Sequence, residues 1–413
     1  MKRKISTGLF SLLIAGSASA QGLYYSGSEA KESLPLKWVV GASVTYDDNV
    51  VPGSGLPEED AFSINPYVGL SFVNITPQTT WDVYARLGLV YYFDQPAGLD
   101  DDVNSNSRVG INLTHRFNER LRFSSSNFVS YELEPDYSYG YASSRQSGEY
   151  FYWQTDNSIG YRWTERFATY TGFRLTGADY AEIDNNDRFT WELYNQLRYQ
   201  LGPQTVLTGD YRYAQTYGSQ QSSDSTDQYL LLGVEHRFSP NTIGIIRGGA
   251  QLRDVEDGDS YSSPYLELAL NSQVNQQFSV RAFTRYGMEA YDTVRFDSDA
   301  GVNSLVEYDS RNTLRIGISS EYAVSPMFSV FGGLDYIPTS FEEGRALPPG
   351  PVVAGTSISD KDEDIVNAYV GVSMKFNDFL SGNATYNYTD SSSDFDNNDY
   401  DRNRISVGLN AEF

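Results

Sequence analysis

The chain predicts an all-β fold, a transmembrane up-and-down antiparallel β-barrel of about eighteen strands. Three observations carry that prediction. Apolar and polar residues alternate with a period of two through run after run of strand length. Eight pairs of runs are joined by a short polar turn that restarts at once on an aromatic or aliphatic residue, whereas the other connections are long and rich in Asp, Asn, Ser and Gly. Short turns at one rim and long loops at the other are the layout of outer-membrane barrels, with turns in the periplasm and loops outside. A secretory leader and a last strand closing on an aromatic complete the set.

Taken in order, residues 1–20 read as a signal peptide. Lys2, Arg3 and Lys4 precede an apolar stretch from Gly8 to Gly16 and the small triplet Ala18-Ser19-Ala20, with cleavage expected before Gln21. The apolar stretch is shorter than the roughly 20 residues a membrane helix needs. Residues 21–36 form a short periplasmic leader, and 37–413 the barrel.

Strands are expected at 37–46 and 61–73, then after Asn74-Ile75-Thr76-Pro77 at 78–93 and 105–117. The turn Asn118-Glu119 leads to 120–133 and 149–163, and Thr164-Glu165 to 166–178 and 187–201. Gly202-Pro203 opens 204–217 and 226–238; Ser239-Pro240-Asn241 opens 241–254 and 261–273. Beyond Asn275-Gln276 come 277–291 and 308–322, beyond Ser325-Pro326 327–338 and 364–376, and beyond Asn377-Asp378 379–390 and 400–413. An even strand number puts both ends of the barrel on the turn side.

Each strand divides into two faces. Trp81, Val83, Ala85, Leu87, Leu89, Tyr91 and Phe93 alternate with Asp82, Tyr84, Arg86 and Gly88, an apolar row that begins and ends aromatic. Ile405, Val407, Leu409, Ala411 and Phe413 alternate in the same way with Arg404, Ser406, Gly408, Asn410 and Glu412. Parity alone does not say which face is inside. The leader, the terminal strand and the loop asymmetry decide for an apolar face toward lipid and a wet lumen, against a soluble β-sandwich protein. The 33 tyrosines and 22 phenylalanines supply interfacial girdles. Mean hydropathy is negative, as it can be when only alternate residues meet lipid.

A net charge of -24 excludes nucleic acid as a partner. With no cysteine there is no disulfide, thiol chemistry or lipidated-cysteine anchor. Acidic residues crowd the expected external loops, as at Glu58-Glu59-Asp60, Asp100-Asp101-Asp102 and Asp360-Lys361-Asp362-Glu363-Asp364. None has the spacing of a twelve-residue calcium loop, so no cofactor is expected beyond loosely bound divalent cations.

Arginines fall on inward positions instead: Arg86, Arg116, Arg122, Arg174, Arg198, Arg212, Arg247, Arg253, Arg281, Arg285 and Arg315. At the lipid midplane each would cost about 2–4 kcal/mol. Inward acids accompany them, among them Asp82, Glu132, Asp156, Glu192, Asp210, Glu235, Glu267, Glu289 and Glu321. Two readings stand side by side, ion pairs that brace the wall and a basic constriction that selects anions. The pore lining is accordingly assigned to Arg86, Arg174, Arg198, Arg212, Arg247, Arg281, Arg285, Arg315, Glu192, Asp210, Glu289, Tyr84 and Tyr170. Tyr84, Tyr170, Tyr194 and Tyr229 could stack on sugar rings or simply pack. The loop from Pro338 to Asp360 could fold into the lumen or cover the mouth.

Catalysis has little to work with. The two histidines, His115 and His236, stand beside short turns, far from the external loops, on the outward face of their strands. No zinc spacing and no phosphate loop occurs, so the chain is read as no enzyme.

Val44-Thr45-Tyr46-Asp47-Asp48-Asn49-Val50, followed by Ile64-Asn65-Pro66-Tyr67-Val68, resembles the start of the beta-barrel porin 2 family of Gram-negative outer membranes. Tyr46, Asp47, Asp48 and Asn49 match that family's Tyr-Asp-Asp-Asn turn, and their expected role is to shape the first external loop. Ser406, Gly408, Ala411 and Phe413 resemble the C-terminal signal by which bacterial barrels are recognised for insertion. The resemblance implies a pore of the cell outer membrane, carries over no catalytic residue, and includes relatives associated with exopolysaccharide export. The partners implied are outer-membrane lipid and lipopolysaccharide, the barrel-assembly machinery, and small hydrophilic or saccharide solutes. Passive diffusion of small hydrophilic solutes is the leading function. The alternatives are saccharide export or uptake and a structural or adhesive barrel with a closed lumen.

Overall fold

The period-two alternation folds as eighteen long strands in a computed structural model. It describes residues 33–413, apart from 53–57, 98, 100, 134–148, 181–186, 219–223, 257, 291–292, 301–303, 349–354 and 396–397, and the backbone of Ser19–Gln21 and Tyr24–Ser26. The strands are β1 Leu34–Asp47, β2 Ala61–Ile75, β3 Thr79–Tyr92, β4 Val103–Arg116, β5 Leu121–Glu132 and β6 Tyr150–Arg162. Next come β7 Phe167–Tyr180, β8 Arg188–Gly202, β9 Thr205–Gly218, β10 Ser225–Ser239, β11 Thr242–Val255 and β12 Ser260–Gln273. The last six are β13 Phe278–Met288, β14 Leu305–Ser325, β15 Phe328–Ala346, β16 Lys361–Lys375, β17 Leu380–Ser393 and β18 Tyr400–Glu412. Every strand pairs antiparallel with its sequence neighbour, and β18 pairs back on β1 from Arg404↔Asp47 to Glu412↔Val39, closing the sheet. Closure removes the free edges that an open sheet would expose.

The two faces have opposite character. Leu87, Leu230, Leu232, Ile246 and Val407 stand exposed on the outer wall, Leu232 at 75%. The inner wall holds arginines, carboxylates, tyrosines and glycines. A water-soluble protein does not leave so continuous an apolar surface uncovered. The arrangement is that of a barrel whose solvent is lipid outside and water within.

Two expectations are corrected. The first barrel strand begins at Leu34 rather than at 37. The strand expected at 327–338 runs on to Ala346 and its partner begins at Leu305, so β14 and β15 rise well above the rim. The described part of the Pro338–Asp360 loop is therefore largely strand, with Ser357–Ile358 pairing on Gly344 and Arg345. On this outer extension Ala300, Val306, Tyr308, Phe341, Ala346, Ile358 and Phe395 form a small buried cluster. Most of the expected signal peptide lies outside the described residues; Ser19–Gln21 pairs with Tyr24–Ser26.

Candidate functional site: the inner wall

Cross-strand register decides which inward side chains meet. It sets three pairs of arginines directly opposite one another: Arg86↔Arg108, Arg116↔Arg122 and Arg285↔Arg315. Like charges in that position repel and destabilise a sheet unless something compensates. Carboxylates do so in part. Arg108 meets Glu132 at 2.9 Å. Glu289 accepts from Arg315 through Nε at 2.9 Å and Nη2 at 3.0 Å, and lies 2.6 Å from Arg285 and 3.4 Å from Arg311. Three guanidinium groups thus converge on one carboxylate. Arg86 lies over the Tyr67 ring, 4.0 Å from its centroid.

A second network runs along β8–β12. Arg198 meets Glu235 at 2.5 Å, Arg247 reaches Glu235 at 3.3 Å and Glu267 at 3.2 Å, and Arg212 meets Glu267 at 3.1 Å. Tyr265 donates to Glu267 at 2.6 Å, and Gln196 donates to Asp210 at 2.5 Å. Arg174 bridges Asp156 at 2.8 Å and Glu192 at 3.1 Å. Here charges alternate and largely cancel, the bracing arrangement.

Depth corrects part of the expected pore lining. Arg198 is 0% exposed, and Arg247, Asp210, Arg315 and Glu289 are buried within these networks. They face inward but are covered by their neighbours, because each long side chain lies along the wall to reach its partner. Arg86, Arg174, Arg212, Arg281, Arg285 and Glu192 keep surface toward the lumen.

The tyrosines are corrected more strongly. Tyr84 and Tyr170 each lie across the glycine directly opposite, Gly110 and Gly160. A Cβ added at Gly110 would stand 2.2 Å from Tyr84 Cζ, and one at Gly160 2.4 Å from a ring carbon of Tyr170. Tyr170 is 2% exposed. Its ring fills the space its partner glycine leaves, so it offers no stacking face to a sugar. Tyr194 does the same over Gly172 and donates to Asp156 at 2.7 Å.

Sequence reading did not single out Arg108, Arg311 or Arg402, although inward parity was available for each. Arg402 explains the Tyr-Asp-Asp-Asn motif. Its guanidinium binds both oxygens of Asp47 across the closing seam, Asp48 accepts from Asn403 N at 2.6 Å and Nδ2 at 2.8 Å, and Asn49 Nδ2 donates to the Asp401 carbonyl at 3.1 Å. Tyr46 faces outward and donates to Asp60 at 3.3 Å, and within the first loop Asn49 N donates to Asp47 Oδ1 at 3.2 Å. The motif mainly clasps β1 to β18. Lys37 and Glu412 pair at the other end of the seam, where Trp38 and Phe413 exchange backbone bonds of 3.0 and 2.8 Å.

His115 Nδ1 shares a hydrogen bond with the Thr79 hydroxyl at 2.8 Å, and His236 Nδ1 with Thr205 at 2.9 Å. Phe117 and Phe238 pack edge-on against them, with centroids at 4.6 and 4.7 Å. Both are girdle residues of the short-turn rim. Beyond the opposite rim, the Lys361 ammonium donates to Asp299 at 2.9 Å and holds that carboxyl below its ordinary range. Among the described residues no three metal-ligating side chains gather at one point.

Among the described residues the substantial contacts between strands run along the wall. This chain is a closed β-barrel with a lipid-type exterior and a charged inner wall. No protein-family model matches it, and no curated protein matches it in sequence. Among solved structures it is similar to OccAB4 of Acinetobacter baumannii, at 12% identity over 92% of this chain and 99% of that one, TM-score 0.45. It is also similar to OpdK of Pseudomonas aeruginosa, solved with vanillate, at 10% identity over 92% and 99%, TM-score 0.47. For a BenF-like porin from Pseudomonas fluorescens Pf-5 the figures are 10%, 94% and 100%, TM-score 0.48. The barrel assignment itself rests on the chain's own strand register.

Proposed function

We propose that this protein is a bacterial outer-membrane channel through which small hydrophilic solutes diffuse passively, with a preference for anions. A barrel of 16–18 strands is wide enough to leave an aqueous passage. The observation that carries the anion preference is the set of opposed arginine pairs, Arg86/Arg108, Arg116/Arg122 and Arg285/Arg315. A sheet selected only for stability would alternate charge at these positions, as the β8–β12 network does. Concentrating like charge on a wet wall raises the local concentration of the opposite ion. The leader at 1–20 and the terminal Ser406, Gly408, Ala411 and Phe413 support delivery to that membrane.

Refolded protein in planar bilayers tests the reading. Stable conductance with a reversal potential toward the anion is the expected result. Absence of any channel would leave a structural role, and a cation-selective channel would refute the part assigned to the arginine pairs.

A further inference from the structure

At mid-height the outward row is polar on one sector of the wall. On β5 it reads Phe123, Ser125, Asn127, Val129, Tyr131; on β6, Trp153, Thr155, Asn157, Ile159, Tyr161; on β8, Trp191, Leu193, Asn195, Leu197, Tyr199. Aromatic residues bracket each row, so the polar side chains lie at the centre of the band that meets hydrocarbon. Their row neighbours Val129, Ile159, Leu193 and Leu197 are exposed on the outer surface. No other strand carries an asparagine in the middle of its outward row.

Register places Asn127 opposite Thr155 and Ser125 opposite Asn157, and the four close a ring. Ser125 Oγ donates to Asn157 Oδ1 at 2.7 Å, and Asn157 Nδ2 to Thr155 Oγ1 at 2.8 Å. Thr155 Oγ1 donates to Asn127 Oδ1, and Asn127 Nδ2 to Ser125 Oγ at 2.8 Å. Nearby, Asn195 Nδ2 donates to Thr171 Oγ1 at 2.7 Å. Each amide has two N–H donors and a carbonyl acceptor. The ring therefore leaves one N–H each on Asn127 and Asn157, and Asn195 keeps an N–H and its carbonyl.

Hydrocarbon supplies no partner for these groups. Lipid headgroups lie roughly half of the ~25 Å apolar band away, too far to reach them. A second copy of the same sector brings what is missing, since Asn195 offers a carbonyl and the ring offers amide hydrogens. A surface that carries both donor and acceptor is self-complementary, the condition for an isologous contact.

We propose that the β5–β8 wall docks a second copy of this chain, patch against patch about a two-fold axis within the membrane. The inference requires the barrel to sit in a bilayer, as proposed above, but not to conduct. Because the chain has no cysteine, a single one reports the contact. Ile159→Cys, beside the ring and about one strand from the two-fold axis, should give a covalent dimer with a bis-maleimide of roughly 10 Å reach in lipid vesicles, and Val370→Cys on β16 should not. Adding Asn127→Leu, Asn157→Leu and Asn195→Leu should lower the Ile159→Cys dimer at least tenfold while the heat-modifiable gel migration of a folded barrel persists. Should the triple variant fail to fold, Asn195→Leu alone lies outside the ring and should reduce the dimer in the same direction. Equal cross-linking at Val370, or a dimer insensitive to these changes, overturns the proposal. Conductance in the same vesicles keeps the two readings apart: a monomer that conducts refutes the docking surface alone, and a dimer that does not conduct refutes the channel alone.

Discussion

At Asp47 a single carboxylate holds the two ends of the barrel together. It is buried, and both its oxygens are taken by Arg402, seventeen strands later in the chain but on the neighbouring strand of the closed sheet. Removing one partner of a buried pair strands the other, at about 3–5 kcal/mol. Asp47→Ala should therefore destabilise the folded barrel by about 3 kcal/mol in urea titrations of the heat-modifiable form. Asp47→Leu with Arg402→Met should recover most of the loss, because a well-packed apolar pair replaces both charges; no recovery would mean the clasp acts through geometry. The motif was visible in the sequence, but its partner was not, since strand parity says which way Arg402 points and not what it meets. The same limit applies to Tyr84. Parity placed it inside, while its fate depended on a glycine opposite. Gly110→Ala should destabilise by about 1–3 kcal/mol by overpacking. Combined with Tyr84→Ala, the effects should sum to less than the two alone, a coupling a double-mutant cycle reads directly.

Among the elements, all eighteen strands were legible because period-two alternation is strong wherever one face meets lipid and the other water. Their outer ends were not. The strand expected at 327–338 ends on Pro338, which has no N–H to give a ladder. The sheet absorbs it: β15 pairs Tyr336 and Thr339 with β14 but leaves Pro338 out of that ladder, while Pro338↔Asp364 continues the pairing to β16. Above it, alternation fades because the hairpin packs on Val294–Phe296 and Ser357–Ile358 rather than on lipid. Phe341 is the centre of that packing, in edge contact with Tyr308 and Phe395 at 5.6 and 5.1 Å. Phe341→Ala should cost about 3–5 kcal/mol, felt locally as opening of the extension. Limited proteolysis should then cut the outer loops faster while the barrel stays folded. Acid should act in the same direction at Asp299. Its folded pKa is depressed by Lys361, so its stabilising bond is complete above the ordinary carboxylate range and is lost as pH falls through the lowered value. Loop cleavage by an acid-tolerant protease should rise in that window for the native chain and change less for Asp299→Asn.

For the whole molecule, two fields of opposite sign lie in series. Glu58, Glu59, Asp60, Asp254, Glu256, Asp360, Asp362, Asp394, Asp399 and Asp401 stand exposed beyond the long-loop rim, whereas the opposed arginines lie on the wall below. Salt separates them. Exposed charges are screened over about 10 Å at 0.1 M and about 3 Å at 1 M, but partly buried ones much less. The acidic rim should therefore favour cations at low ionic strength and fade as salt rises, leaving the lumen arginines to set selectivity. Reversal potentials at a fixed concentration ratio should move toward the anion as absolute salt increases. Arg86→Gln with Arg285→Gln should move them back toward the cation at every salt level. Both residues keep surface in the lumen, and Arg108 and Arg315 retain Glu132 and Glu289, so the barrel should remain folded. Unchanged reversal potentials in that variant would assign the arginine pairs to bracing the wall, with selectivity left to the rim.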